Sequence, residues 1–126
     1  MEPKSLMRAR HVISENLRTV AACDALVRGD MTELGRLMAE AHQSYSEDFE
    51  GSCVEADAMV ELAKDLPGLI GARLTGGGFG GCTVNLVEQT AAPAFAEALA
   101  ARYAANIGIE PQIHICKASA GARRLE

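Results

Sequence analysis

Leu6, Ala9, Ile13, Leu17, Val20 and Ala21 recur every three or four positions near the start of the chain. That is the spacing of one face of an α-helix. It predicts a long helix from residue 4 to about residue 28. Gly29 is placed to stop it, because glycine readily takes the left-handed conformation that ends helices. Asp30 with Glu33 three residues on has the spacing of a capping box and opens a second helix. Leu34, Leu37, Met38 and Ala41 form its apolar stripe, and it ends near residues 44 to 47. The stretch "DFEGSC" reads as a connector. Ser52 and Glu55 repeat the capping spacing and predict a third helix over about 53 to 65, ended by Pro67 and Gly68.

The period then changes. Residues 69 to 74 and 82 to 87 are short β-like runs, and "CTVNLV" is rich in β-branched side chains. Thr90 begins another helix, with Phe95, Leu99 and Tyr103 on one face. Residues 111 to 117 (PQIHICK) alternate Ile113 and Ile115 against Gln112 and His114, which predicts a last strand. The order is α-α-α-β-β-α-β. A hairpin followed by a helix and one more strand implies an antiparallel α+β layer, not a doubly wound sheet. No internal repeat or linker divides the chain, so residues 1–126 are expected to form one domain. The tail "ASAGARRLE" reads as an exposed end with two solvated arginines.

Composition narrows the classes. Hydrophobic residues make up 48% of the 126, which argues for a packed globular chain. Aromatics are 4% and Trp is absent, so the core must rest on aliphatic side chains. The net charge of −5 argues against a broad nucleic-acid surface. No apolar run approaches the roughly 20 residues of a membrane span. The start "MEPKSLMRAR" lacks the apolar core of a secretory signal, so the cytoplasm is the expected location. Cys23, Cys53, Cys82 and Cys116 form no Cys-x-x-Cys pair and are expected to be reduced and mostly buried. His11, His42 and His114 are scattered, and no metal site is expected. Leu125 and Glu126 match the scar that precedes a purification tag.

The stretch "RLTGGGFGGC" at 73 to 82 carries five glycines in a run of six. Gly76, Gly78 and Gly81 formally fit G-x-G-x-x-G. A dinucleotide fingerprint, however, joins a strand to a helix. Here the following residues read as a strand. A P-loop needs Gly-Lys-Ser/Thr after its glycines, and here Cys-Thr follows. A glycine-rich hairpin loop without a ligand remains open as a reading. A hairpin needs only one or two residues at positive φ. The surplus glycines point to close approach of another backbone or of a phosphate. Successive amides without side chains can form an anion-binding concavity, with Thr75 adding a hydroxyl at its edge.

The stretch "GARLTGGGFGGCTV" closely resembles the third motif of the galactokinases, in the GHMP family of small-molecule kinases. "RARHVISEN", "GRLMAEAHQSYSEDFEGSC" and "ASAGARRL" resemble galactokinase C-terminal sequence in the same order, so the resemblance covers essentially the whole chain. It implies the C-terminal lobe of these enzymes, a ferredoxin-like antiparallel α+β layer with additional N-terminal helices. It also implies a parent reaction, transfer of the γ-phosphate of Mg-ATP to the anomeric hydroxyl of galactose. The motifs of the N-terminal lobe, a Pro-x-x-x-Gly-Leu-Ser-Ser-Ser-Ala stretch and a Gly-Glu-His-x-Asp signature, do not occur in the chain.

The resemblance places Thr75, Gly76, Gly77, Gly78 and Phe79 in a loop facing the ATP phosphates, with Gly80 and Gly81 shaping its turn. Their role is positioning and electrostatic support, and no catalytic base is implied in this chain. Phe79 either wedges the loop onto the core or faces the ligand. Ser46-Glu47-Asp48 stands where a basic-acidic-acidic stretch is usual, and Gly51 where a β-branched residue is usual. Arg8, Arg10 and His11 match the family start and are expected to make structural contacts of the first helix. Mg²⁺, ATP and galactose are expected only in the complete enzyme, with the N-terminal kinase lobe as partner. The isolated chain is expected to be inactive. An apolar face normally covered by that lobe would drive a homodimer or larger assembly. The alternatives are a non-catalytic binding or regulatory module derived from such a lobe, and a sister GHMP kinase for mevalonate or homoserine.

Overall fold

The computed structural model describes residues 2–124. Met1, Leu125 and Glu126 lie outside the described residues, and with them the tag-scar reading. The elements are α1 (Pro3–Arg28), α2 (Met31–Glu47), α3 (Val54–Ala63), β1 (Leu69–Thr75), β2 (Cys82–Val87) and α4 (Ala92–Ile107).

The helix ends follow local chemistry. Gly29 takes φ of 70°, and the Asp30 amide turns back to the Ala25 carbonyl at 2.8 Å. Asp30 caps α2 by accepting the Glu33 amide at 3.0 Å. The Glu33 carboxylate does not return to the cap and instead pairs with Arg36 on the next turn. The second capping box does not form. Ser52 donates to Asp57 instead, and α3 begins one residue later behind Cys53.

Strands β1 and β2 form an antiparallel pair from Leu69 opposite Val87 to Thr75 opposite Cys82, with an irregularity between Leu69 and Gly71. α2 lies against β1, and α1 lies against α2. The α2–β1 approach is close. A Cβ on Gly35 would sit 1.8 Å from the Ile70 carbonyl oxygen. α3 packs on both strands and on α4. Val60, Ala63, Leu66, Ala72, Phe95 and Leu99 make the core there, and Leu99 is the most enclosed large side chain. The expected Phe95–Leu99–Tyr103 face of α4 is buried.

Two further expectations are corrected. Residues 111–117 form no strand. Together with residues of β2 and α4 they line a cavity of about 770 Å³. Alternation marks a segment as suited to a ladder, but pairing needs a neighbour at about 4.8 Å. The cysteines are not mostly buried: Cys23, Cys82 and Cys116 are exposed and Cys53 is half-buried. They fall on the outward side of α1, beside the glycine loop and in the unpaired C-terminal segment. The apolar stripe of α1, whose facing the spacing left open, does not meet this chain's core. Leu6, Ile13, Leu17 and Val20 are all more than half exposed, and α1 buries His11 and Ala25 instead.

Candidate functional site

The glycine loop, residues 76–81, closes the β1–β2 hairpin and meets the connector between α2 and α3. A Cβ on Gly78 would lie 2.3 Å from the Gly51 carbonyl oxygen and 2.6 Å from the Tyr45 hydroxyl, and Gly78 itself sits at φ of 84°. A Cβ on Gly51 would in turn lie 2.5 Å from the Tyr45 ring. The Phe79 amide donates to the Gly51 carbonyl at 2.9 Å. Another backbone therefore does approach the loop, at one of its glycines. Around Gly76, Gly77 and Gly80 the space is open, with nothing within 4 Å of a Cβ position. One side of the loop is anchored and the other is bare backbone.

Phe79 does not wedge the loop onto the core. Its ring is 74% exposed, and its backbone takes φ of 54°, which non-glycine residues seldom adopt. Thr75 ends β1 beside a small depression of about 330 Å³, bounded also by Tyr45, Arg73, Leu74, Gly76 and Val84. Arg73 brings the one guanidinium to this rim. It is shared with Glu15 of α1 at 2.9 Å, and its Nε donates to the Leu74 carbonyl at 3.2 Å. Burial pulls the Glu15 carboxyl up, but hydrogen bonds from Arg18 and Arg73 outweigh it and hold the group below its ordinary value.

Behind the loop lies a polar cluster the sequence did not reveal. His42 is buried on α2. The Leu74 amide donates to its Nδ1 at 3.1 Å, which places the ring proton on Nε2. Nε2 lies 3.0 Å from Asp57 Oδ1 on α3. Asp57 also accepts from Ser46 Oγ at 2.9 Å and Ser52 Oγ at 2.6 Å. Burial is the largest influence on His42 and lowers its pKa. Asp57 works against this, and Arg73 and Lys64 lower it further.

A second cluster ties the start of α1 to the same connector. Ser44 Oγ donates to Asp48 Oδ2 at 3.2 Å, so it accepts from His11 Nδ1 at 3.0 Å. The His11 ring packs on Tyr45 and Phe49, whose rings stack on each other at 5.3 Å. Arg8 donates to the Asp48 carbonyl at 2.6 Å and pairs with Glu50. Arg10 reaches Asp48 at 3.4 Å. Arg8, Arg10 and His11 thus make contacts of the first helix. Asp48 is a hub of that contact, while Glu47 is exposed and accepts from Gln43 at 3.2 Å.

The site offers bare backbone, a threonine hydroxyl and one guanidinium, donors that suit a phosphate. Mg²⁺ is held by carboxylates together with substrate phosphates. Among the described residues no group of three or more His, Cys, Asp or Glu is arranged to hold a metal ion. The depression beside the loop is lined by no carboxylate, so the residues at this rim do not themselves fit a Mg²⁺ site. Tyr45, His42, Gly51, Asp57 and Arg73 are the participants that sequence reasoning missed. Arg73 lies inside the glycine motif and His42, Tyr45 and Gly51 inside the stretch at 35–53, but no local spacing marked them as partners of the loop, and Asp57 lies in neither.

The fold is an α+β layer of four helices on a two-stranded antiparallel hairpin closed by this loop. Residues 22–105 match the family described as GHMP kinases C terminal, and the chain belongs to that family. Over 121 residues it is 48% identical to a galactokinase from Chloroflexus aggregans, covering 96% of this chain and 31% of that protein. The structure also resembles that of Lactococcus lactis galactokinase complexed with galactose. The TM-score is 0.83 at 38% identity, over 86% of this chain and 28% of the other. The chain therefore spans about a third of the length of the relatives it matches.

Proposed function

We propose that residues 1–126 form one GHMP-kinase C-terminal domain that supplies one wall of the phosphotransfer site of a galactokinase. In the complete enzyme, ATP and galactose give galactose 1-phosphate and ADP. The observation that carries this reading is the two-sided loop. Gly78 is locked against Gly51 and Tyr45, while Gly76, Gly77 and Gly80 present open backbone. Phosphoryl transfer relies on positioning and charge stabilisation. A loop rigid on one side and bare on the other suits both. Thr75, Gly76, Gly77, Gly78 and Phe79 would lie along the phosphates, with Gly80 and Gly81 shaping the turn. An N-terminal lobe supplies the nucleotide, Mg²⁺ and sugar contacts, and the working location is the cytoplasm.

The test is galactose-dependent ADP formation with Mg-ATP. The 126-residue chain alone should show none, because nucleotide and acceptor must be held in line. A chimera carrying this chain in place of the matched residues of the Chloroflexus aggregans galactokinase should be active. A folded, ATP-binding chimera that transfers nothing would overturn the reading. Turnover by the chain alone would show that the reacting groups are here and that the loop assignment is wrong.

The outward stripe of α1 is the face we assign to assembly. Leu6, Ile13, Val20 and Val27 repeat every seven residues, with Leu17 between them. Arg10 and Asp24 lie seven residues either side of Leu17, on the same face. An antiparallel second copy would set opposite charges together, whereas a parallel one would set like charges together. The isolated chain should therefore form a homodimer or larger assembly, and Leu17→Glu should shift it to a monomer in light scattering. A clean monomer of the unchanged chain across a concentration series would refute this assignment.

A further inference from the structure

We propose that His42 is the positioning residue of the glycine loop, holding both of its walls through the two nitrogens of one imidazole. This rests on the phosphotransfer reading above for its functional meaning. On one side, Nδ1 accepts the amide of Leu74, two residues before Gly76, and so fixes where β1 delivers the chain into the loop. On the other side, Nε2–H reaches Asp57 Oδ1 at 3.0 Å. Asp57 takes the Ser52 hydroxyl at 2.6 Å, next to Gly51, and the Ser46 hydroxyl at 2.9 Å, next to Tyr45. Gly51 and Tyr45 are the two residues against which Gly78 is packed, and the Gly51 carbonyl holds the Phe79 amide. The entry of the loop and its anchored side therefore hang on opposite edges of the same ring.

The arrangement works for one protonation state only. Neutral imidazole with its proton on Nε2 satisfies both bonds. A second proton would occupy Nδ1, point at the Leu74 amide and end that bond. The charged groups facing the ring are Asp57 from α3, Lys64 at the end of α3 and Arg73 from β1, the last paired with Glu15 of α1. Burial outweighs Asp57 and keeps the ring neutral below its ordinary value of 6.5.

Two substitutions separate the two edges. In His42→Asn the amide oxygen falls near the position of Nδ1 and keeps an acceptor for Leu74, but the side chain no longer reaches Asp57. In His42→Gln the terminal amide reaches Asp57 but leaves Leu74 without its acceptor. Protection of individual amides against hydrogen exchange, read by NMR on the 126-residue chain at about pH 7.5, should split accordingly. Leu74 should exchange about five- to tenfold faster in the glutamine variant and stay near the unchanged chain in the asparagine variant. Phe79 should show the reverse. In the unchanged chain, acidification well below 6.5 should loosen Leu74 as His42→Gln does, and the asparagine variant should lack that step.

Equal Leu74 protection in all three proteins would overturn the proposal, as would parallel losses at Leu74 and Phe79 in both variants. If either variant fails to fold, the ring nitrogen shifts of the unchanged chain decide. A proton on Nδ1 at neutral pH overturns the assignment, and a proton on Nε2 upholds it. None of these readouts needs ATP or turnover. An inactive chimera with the exchange pattern intact would remove the phosphotransfer reading and leave His42 as the loop's clamp.

Discussion

Replacing Gly78 by alanine should destabilise the chain, and replacing its neighbour Gly77 should not. At Gly78 the backbone φ is 84°, a conformation that costs an L-residue about 1–2 kcal/mol. The added methyl would stand 2.3 Å from the Gly51 carbonyl oxygen, a backbone atom that cannot swing aside. The connector must then retreat, and the Phe79–Gly51 hydrogen bond is stretched or lost, at a further net cost of about 0.5–1.5 kcal/mol. The sum is roughly 1.5–3.5 kcal/mol. At Gly77 nothing lies within 4 Å and φ is ordinary. The change there should fall within about 0.5 kcal/mol, or stabilise slightly by restricting the unfolded chain. Urea unfolding at one protein concentration would measure both. With a slope of about 1–3 kcal/mol per molar, Gly78→Ala should lower the midpoint by about 1 M and Gly77→Ala should leave it unchanged. Equal losses at the two positions would refute the idea that the loop has one anchored and one open side.

Gly35→Ala should be more damaging than either, because its methyl would be driven to 1.8 Å from the Ile70 carbonyl oxygen and would force α2 off β1; a thermal midpoint close to that of the unchanged chain would contradict the close approach. Glu15 is held below its ordinary value of 4.5, so its contribution to stability is present above that pH and is lost as the pH falls through its lowered folded value. Glu15→Gln should therefore be destabilising at neutral pH by an amount that shrinks steadily in acid, and a difference that stays constant from neutral pH to about pH 3 would show that the carboxylate is not linked to folding.

Local chemistry decided much of what is regular here. Gly29 and Asp30 set the α1–α2 boundary with groups a few residues apart, and "CTVNLV" became a strand at the expected position. The motif at 71–84 marked the loop, since its glycines are contiguous in the chain. Residues 111–117 show the limit of such reasoning. Their alternation is real, but a strand exists only where a second strand supplies the other half of each hydrogen bond. The stripe of α1 shows the same limit from the other side. Periodicity announced an amphipathic helix correctly and could not say whether the apolar side would meet this chain's core. The site was hidden for a related reason. Gly51, Tyr45 and Gly78 constrain one another, and His42, Asp57 and Leu74 share one network, across separations in sequence of up to 33 and 32 residues. By itself, the sequence determined the helices, the hairpin and the glycine motif, because turns, caps and periodicity act within a few residues. Only the tertiary structure decided which glycines are anchored, which face is left bare and which imidazole holds the loop, because those depend on groups that become neighbours when α2, α3 and β1 pack together.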